Sequence, residues 1–148
     1  MLGNGYYITI GLNSYDAVAY ESNGFLRGPE NDARDMASIA DGLGYSGVTL
    51  LTEAATSSAV LTELQQVAAK AEPGDLVLVT YSGHGSFVPD TNGDETDSFE
   101  ETWCLYDRQL LDDELHAAWA IFKAGVRIFV LSDSCHSGTN IRRLPATV

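Results

Sequence analysis

The chain is poor in positive charge: 8 Lys and Arg stand against 21 Asp and Glu in 148 residues, a formal net charge of -13. Such a surface repels phosphate backbones and anionic lipids, which excludes nucleic acid and membrane as main partners and favours basic peptides or cations. No run approaches the ~20 apolar residues of a membrane span, and the stretch Met1 to Asn13 lacks the basic start of a secretory signal. A soluble protein of the cytoplasm is the expectation. Cysteine is scarce as well, since Cys104 and Cys135 cannot build the disulfide framework of a small secreted domain. With three histidines and no Cys-x-x-Cys, a structural zinc site lacks ligands at workable spacing. There is no Gly-x-Ser-x-Gly elbow and no Walker lysine, so serine-hydrolase and nucleotide-binding readings lose their central parts. Gly42 to Gly47 does spell Gly-x-Gly-x-x-Gly, but it follows a helical pattern and precedes a strand, the reverse of a dinucleotide site.

What is present is a hydrophobic content of 45%, enough for one core, and residues 1–148 are read as a single domain. Tyr6 to Leu12 is β-branched and aromatic and reads as a strand ended by a loop from Asn13 to Gly24. Ala33, Met36, Ala37, Ala40 and Leu43 recur at helical spacing, with Asn31 or Asp32 as N-cap. Val48 to Thr52 is a short strand, and after Thr56 a second amphipathic helix runs to Pro73-Gly74. Asp75 to Tyr81 reads as a central strand, Asp112-Asp113-Glu114 open a third helix ended by Gly125, and Arg127 to Ser132 is a fourth strand. Alternating strands and helices predict an α/β fold, a mainly parallel sheet with helices on both faces.

Ligands of open parallel sheets bind beyond the carboxyl ends of the strands. Two such exits carry reactive side chains. One is Tyr81-Ser82-Gly83-His84-Gly85, the other Ser132-Asp133-Ser134-Cys135-His136-Ser137-Gly138. Neighbouring strands lie ~4.8 Å apart, so an imidazole and a thiol at matching heights form a nucleophile and base pair. The thiolate is the nucleophile, and an adjacent imidazole takes the thiol's proton or stabilises its charge. The amides of Gly85 and Cys135 are candidate donors to the oxyanion formed on attack. Singly, His84 would be a turn residue and Cys135 one more buried thiol; together at strand exits they point to catalysis.

His84 and a cysteine 51 positions later, in these two motifs, resemble the catalytic pair of the caspase-like cysteine peptidases of family C14, and among them the metacaspases and bacterial orthocaspases. The separation fits the ~50 residues of the caspase signature, although Asp-Ser-Cys stands where a caspase has Gln-Ala-Cys. Leu26 to Ala33 resembles the metacaspase segment ending in Asn-Asp before the first helix, with Pro29 in place of a cysteine common there. The likeness runs from about Tyr6 to Gly138. It implies a caspase-like three-layer sandwich with Cys135 as nucleophile and His84 as general base and acid. Asp32, Ser82 and Asp133 fall at the positions lining the pocket for the residue before the cut bond. Carboxylates there attract guanidinium or ammonium groups and reject acids, so cleavage after Arg or Lys in protein or peptide substrates is expected. As structural roles, Asp32 would be an N-cap and Asp133 a hydrogen-bonded strand end.

The acidic residues gather, with 10 of 21 between Asp90 and Glu114. An EF-hand spacing from Asp90 to Glu101 fails at its sixth position, where Glu95 replaces glycine. The resemblance offers Glu100, Asp112 and Asp113 as calcium ligands, while Arg142 and Arg143 occupy the neighbourhood of a further acidic ligand. Calcium therefore stays open against a solvated acidic loop and an ordinary helix start, and no organic cofactor is implied. Arg142-Arg143 are also sites for self-cleavage. The resemblance implies two more strands after the cysteine-bearing one, yet only about ten residues follow Gly138. The expectation is a large-subunit-like domain short of its last strands, completed by a small-subunit-like segment. The alternative is a weak or inactive caspase-like regulatory or binding module, with or without calcium.

Overall fold

A computed structural model describes residues 3–89 and 99–136; at positions 99, 100, 135 and 136 the description is of the backbone. Strand β1 (Gly5–Gly11) is followed by a short helix α1 (Ala17–Tyr20), helix α2 (Pro29–Gly42) and strand β2 (Ser46–Leu51). Helix α3 (Ser57–Lys70), strand β3 (Leu76–Pro89), strands β4 (Phe99–Cys104) and β5 (Gln109–Leu111), helix α4 (Asp112–Ala120) and strand β6 (Arg127–His136) complete the order. The sheet runs β2-β1-β3-β4-β5, with β6 on β3. β2, β1, β3 and β6 are parallel, and β4 and β5 add an antiparallel extension. The sheet is therefore mixed, with a parallel body and helices on both sides.

Alternation along β1 and β3 sorts the two faces. Ile8, Ile10, Val77, Val79 and Tyr81 join Val60, Leu64 and Val67 of α3 and Leu115 and Ala118 of α4 in the main core. Tyr7 and Leu78 pack on the opposite face against Ala37 and Ala40 of α2. Small residues along α2 let it lie close to the sheet; a Cβ on Gly11 would meet the Pro29 carbonyl oxygen at 2.2 Å. α3 starts where Thr56 caps it, its hydroxyl accepting from the Ala59 N-H at 3.1 Å.

Four expectations are corrected. α2 begins at Pro29 with Gly28 as its cap residue and no side-chain cap bond, so neither Asn31 nor Asp32 is the N-cap; proline at the first turn presets φ. The loop after β1 contains α1, capped by the Asp16 side chain on the Val18 N-H. α4 ends at Ala120, five residues before Gly125. Most consequentially, the two motifs are not loops beyond strand ends: as far as they are described, residues 81–85 and 132–136 lie inside strands, because β3 and β6 run on past β1 and pair with each other as far as Gly85 and His136. Ser82, Gly83, Gly85, Ser132 and Ser134 interrupt the apolar pattern without interrupting the ladder. Among the described residues no helix is long and apolar enough to cross a membrane.

Candidate active site

Parallel pairing of β3 with β6 sets Ser82 against Asp133, His84 against Cys135 and Gly85 against His136. Ser82 and His84 share the α2 face with Leu78 and Thr80. From α2, the Asp32 carboxylate accepts a hydrogen bond from the Ser82 hydroxyl at 2.7 Å. Because the helix starts three residues before it, Asp32 is free of capping and its side chain turns to the sheet. Ser82 is buried while Asp32 and Asp133 are exposed, which leaves the acidic group open to solvent. The side chain of Cys135 lies outside the described residues.

The His84 ring is held by groups that the sequence reading missed. Its Nε2 lies 2.8 Å from the Gly24 carbonyl oxygen. A carbonyl only accepts, so Nε2 carries the proton of the neutral ring and Nδ1 keeps the lone pair. The Tyr15 ring stands against the imidazole with centroids 5.5 Å apart. Gly24 has φ +51°, and a Cβ there would overlap the Tyr15 ring, so glycine is needed to bring its carbonyl to the histidine. No local signal in Asn23-Gly24-Phe25 announces this; it follows only from the loop folding back across the sheet.

The glycines of the histidine motif also have packing causes. A Cβ on Gly83 would sit 2.8 Å from the Tyr81 hydroxyl, and one on Gly85 would crowd Ser134 at 3.1 Å. Gly85 itself lies between Trp103 of β4 and His136 of β6. Behind it, on the face away from His84, Ser132, Ser134, Trp103, Leu115 and Trp119 line a pocket of ≈ 210 Å³.

The description "Metacaspase, peptidase C14 domain" matches residues 8–144, most of the chain and both motifs. The chain belongs to the metacaspase family. Metacaspase-1 of Mycosarcoma maydis is 35% identical over 153 residues, covering 94% of this chain and 37% of the relative. Metacaspase-1A of Aspergillus oryzae is 33% identical over 147 residues, covering 89% of this chain and 34% of that protein. A Geobacter sulfurreducens protein of known crystal structure is 47% identical with a TM-score of 0.84, over 92% of this chain and 52% of the other. The chain thus spans about a third of the curated metacaspases it matches and about half of the solved structure.

For a calcium site of metacaspase type the described residues give little. Asp112 and Asp113 stand in the first turn of α4, where Asp112 faces His116 at 3.6 Å and Glu114 is engaged by Arg108 at 2.8 Å. The side chain of Glu100, the segment 90–98 and Arg142-Arg143 lie outside the described residues. Among the described residues no three His, Cys, Asp or Glu converge as a metal would require. Asp112 and Asp113 alone do not make a calcium cage, and calcium enters no step below. Cys104, read as a core residue, is buried, and burial pushes its thiol up to about 12. It is an inert thiol.

Proposed function

We propose that residues 1–148 form the catalytic, large-subunit-like domain of a cytoplasmic cysteine endopeptidase that cuts protein chains after Arg or Lys. The one-to-one pairing of His84 with Cys135 across a parallel ladder is the observation that carries this reading. Nδ1 of His84 takes the thiol proton, and the imidazolium keeps its Nε2-H on the Gly24 carbonyl. The thiolate sulfur attacks the scissile carbonyl carbon, and the oxyanion so formed is met by the amides of Gly85 and Cys135. As the intermediate collapses, the C-N bond breaks and the imidazolium gives its proton to the leaving amine, leaving a thioester on Cys135. His84 then deprotonates water, whose oxygen displaces the thiol and releases the new carboxyl end. Asp32, Ser82 and Asp133 receive the basic side chain, with Asp32 and Ser82 already joined at 2.7 Å.

The exposed apolar residues Phe129, Val130 and Leu131 of β6 support a partner strand on that edge, supplied by a small-subunit-like segment. The experiment is cleavage of fluorogenic peptides with Arg, Lys or Asp before the scissile bond by the full-length protein, with calcium or chelator, against Cys135→Ala. Arg and Lys peptides are cut, the Asp peptide is not, and Cys135→Ala removes all turnover. Cleavage that survives Cys135→Ala, or no cleavage of Arg and Lys peptides under any condition, overturns the reading. Intact mass after incubation reports self-cleavage at Arg142 or Arg143.

A further inference from the structure

Tyr81 opens the histidine motif, yet its ring points away from the reacting groups into the core. It is 1% exposed and lies flat on the Trp103 indole, with ring centroids 4.6 Å apart and planes 5° from parallel. Its hydroxyl passes under Gly83 and donates to the His84 carbonyl oxygen at 2.6 Å, with the Cys104 carbonyl oxygen also in reach at 3.1 Å. This is where the β3-β4 ladder stops, at Gly85 against Trp103. One rung further, the carbonyl oxygens of His84 and Cys104 both lie within reach of the one phenolic proton. Burial and the surrounding Cys104 and Tyr15 hold the phenol far above its usual range, so it stays a donor at any working pH.

We propose that Tyr81 is the positioning residue for His84: its hydroxyl fixes the histidine backbone from the core side while Gly24 fixes the ring from the solvent side. The inference rests on the Cys/His reading above for its catalytic consequence, but its geometric content concerns His84 alone. Without the hydroxyl, the His84 carbonyl loses its hydrogen bond from the core side and the backbone from Gly83 to Gly85 relaxes. The imidazole then leaves the Gly24 carbonyl, and Nδ1 no longer stands where the thiol proton must go. A displacement of about 1 Å at a reacting group lowers turnover by up to ~100-fold.

Tyr20 provides a matched control, since it is equally buried and donates to the Leu105 carbonyl oxygen at 2.7 Å without touching His84. Tyr81→Phe and Tyr20→Phe are compared in the full-length protein by kcat and KM on an Arg peptide and by nitrogen NMR titration of the His84 ring. The expected result is a ten- to hundred-fold fall in kcat for Tyr81→Phe with KM within about twofold. Its His84 tautomer and titration midpoint shift, and Tyr20→Phe changes neither. Equal kcat and an unchanged His84 ring in both variants overturn the assignment. Should the wild type cleave nothing, the peptidase reading fails, and the His84 tautomer still decides the role of Tyr81. Should Tyr81→Phe not fold, Gly83→Ala, whose Cβ crowds the same hydroxyl, must produce the same shift; a normal His84 ring in that variant overturns the proposal.

Discussion

β3 and β6 are neighbours with nearly the same apolar grammar, Leu-Val-Leu-Val-Thr-Tyr against Arg-Ile-Phe-Val-Leu-Ser, and with opposite fates. Val77 and Val79 are fully buried between β1, β6 and α3, whereas Phe129, Val130 and Leu131 are 57%, 40% and 45% exposed. The residues do not cause the difference. β3 has a strand on each side, and β6 has a strand on one side among the described residues. His84 therefore sits on a strand paired on both sides, and Cys135 on one paired on a single side among the described residues. The contacts of His84 lie within the described residues, while the side chain of Cys135 lies outside them.

The sharpest way to break that contrast is at the paired ends. His84→Ala should reduce turnover of an Arg peptide by roughly 10²- to 10⁴-fold, the usual weight of a general base, with binding little changed. A variant within threefold of wild type would remove the histidine from the chemistry. Next in size is stability: Val79→Ala should cost about 2 to 3 kcal/mol and Val130→Ala less than about 0.5 kcal/mol in this chain, measured by urea unfolding. Equal losses would mean that β6 is already covered.

The smallest effect is at the shared beginning of the two strands. Asp75 accepts from the Asn4 N-H at 2.7 Å and the Glu72 N-H at 2.9 Å, while its own carbonyl accepts from the Arg127 N-H at 3.0 Å. Those backbone bonds, that from Glu72 foremost, hold its carboxyl below the ordinary 3.8. A depressed pKa contributes stability that is whole above the unfolded value and is lost as pH falls through the folded one. Melting temperature of the wild type should thus fall below about pH 4, and Asp75→Asn should flatten that acid step. An identical acid slope in the variant would assign the step to other carboxylates.

Much of this was legible in the chain. The apolar patterns located the starts of the parallel strands, and α2 and α3, within a few residues. The joint presence of His84 and Cys135 was legible as well, since each follows an apolar run that reads as a strand. What was not legible came from distance. Gly24, Tyr15 and Tyr81 act on His84 through folding contacts that no local pattern encodes, and the continuation of β3 through Ser82 to Pro89 is decided by its partners β4 and β6. Asp32 read as a cap because its neighbourhood is that of a helix start; Pro29 took that start three residues earlier.

The ladder between β3 and β6 has ten rungs, and His84 and Cys135 both stand on the ninth. What the chain must preserve is therefore a count, equal on two strands, and not the 51 positions that separate the two residues. That equality is set within the two strands and not by the number of residues between Pro89 and Arg127. One residue added between Leu76 and His84, or between Arg127 and Cys135, moves its residue up a rung and onto the other face of the sheet.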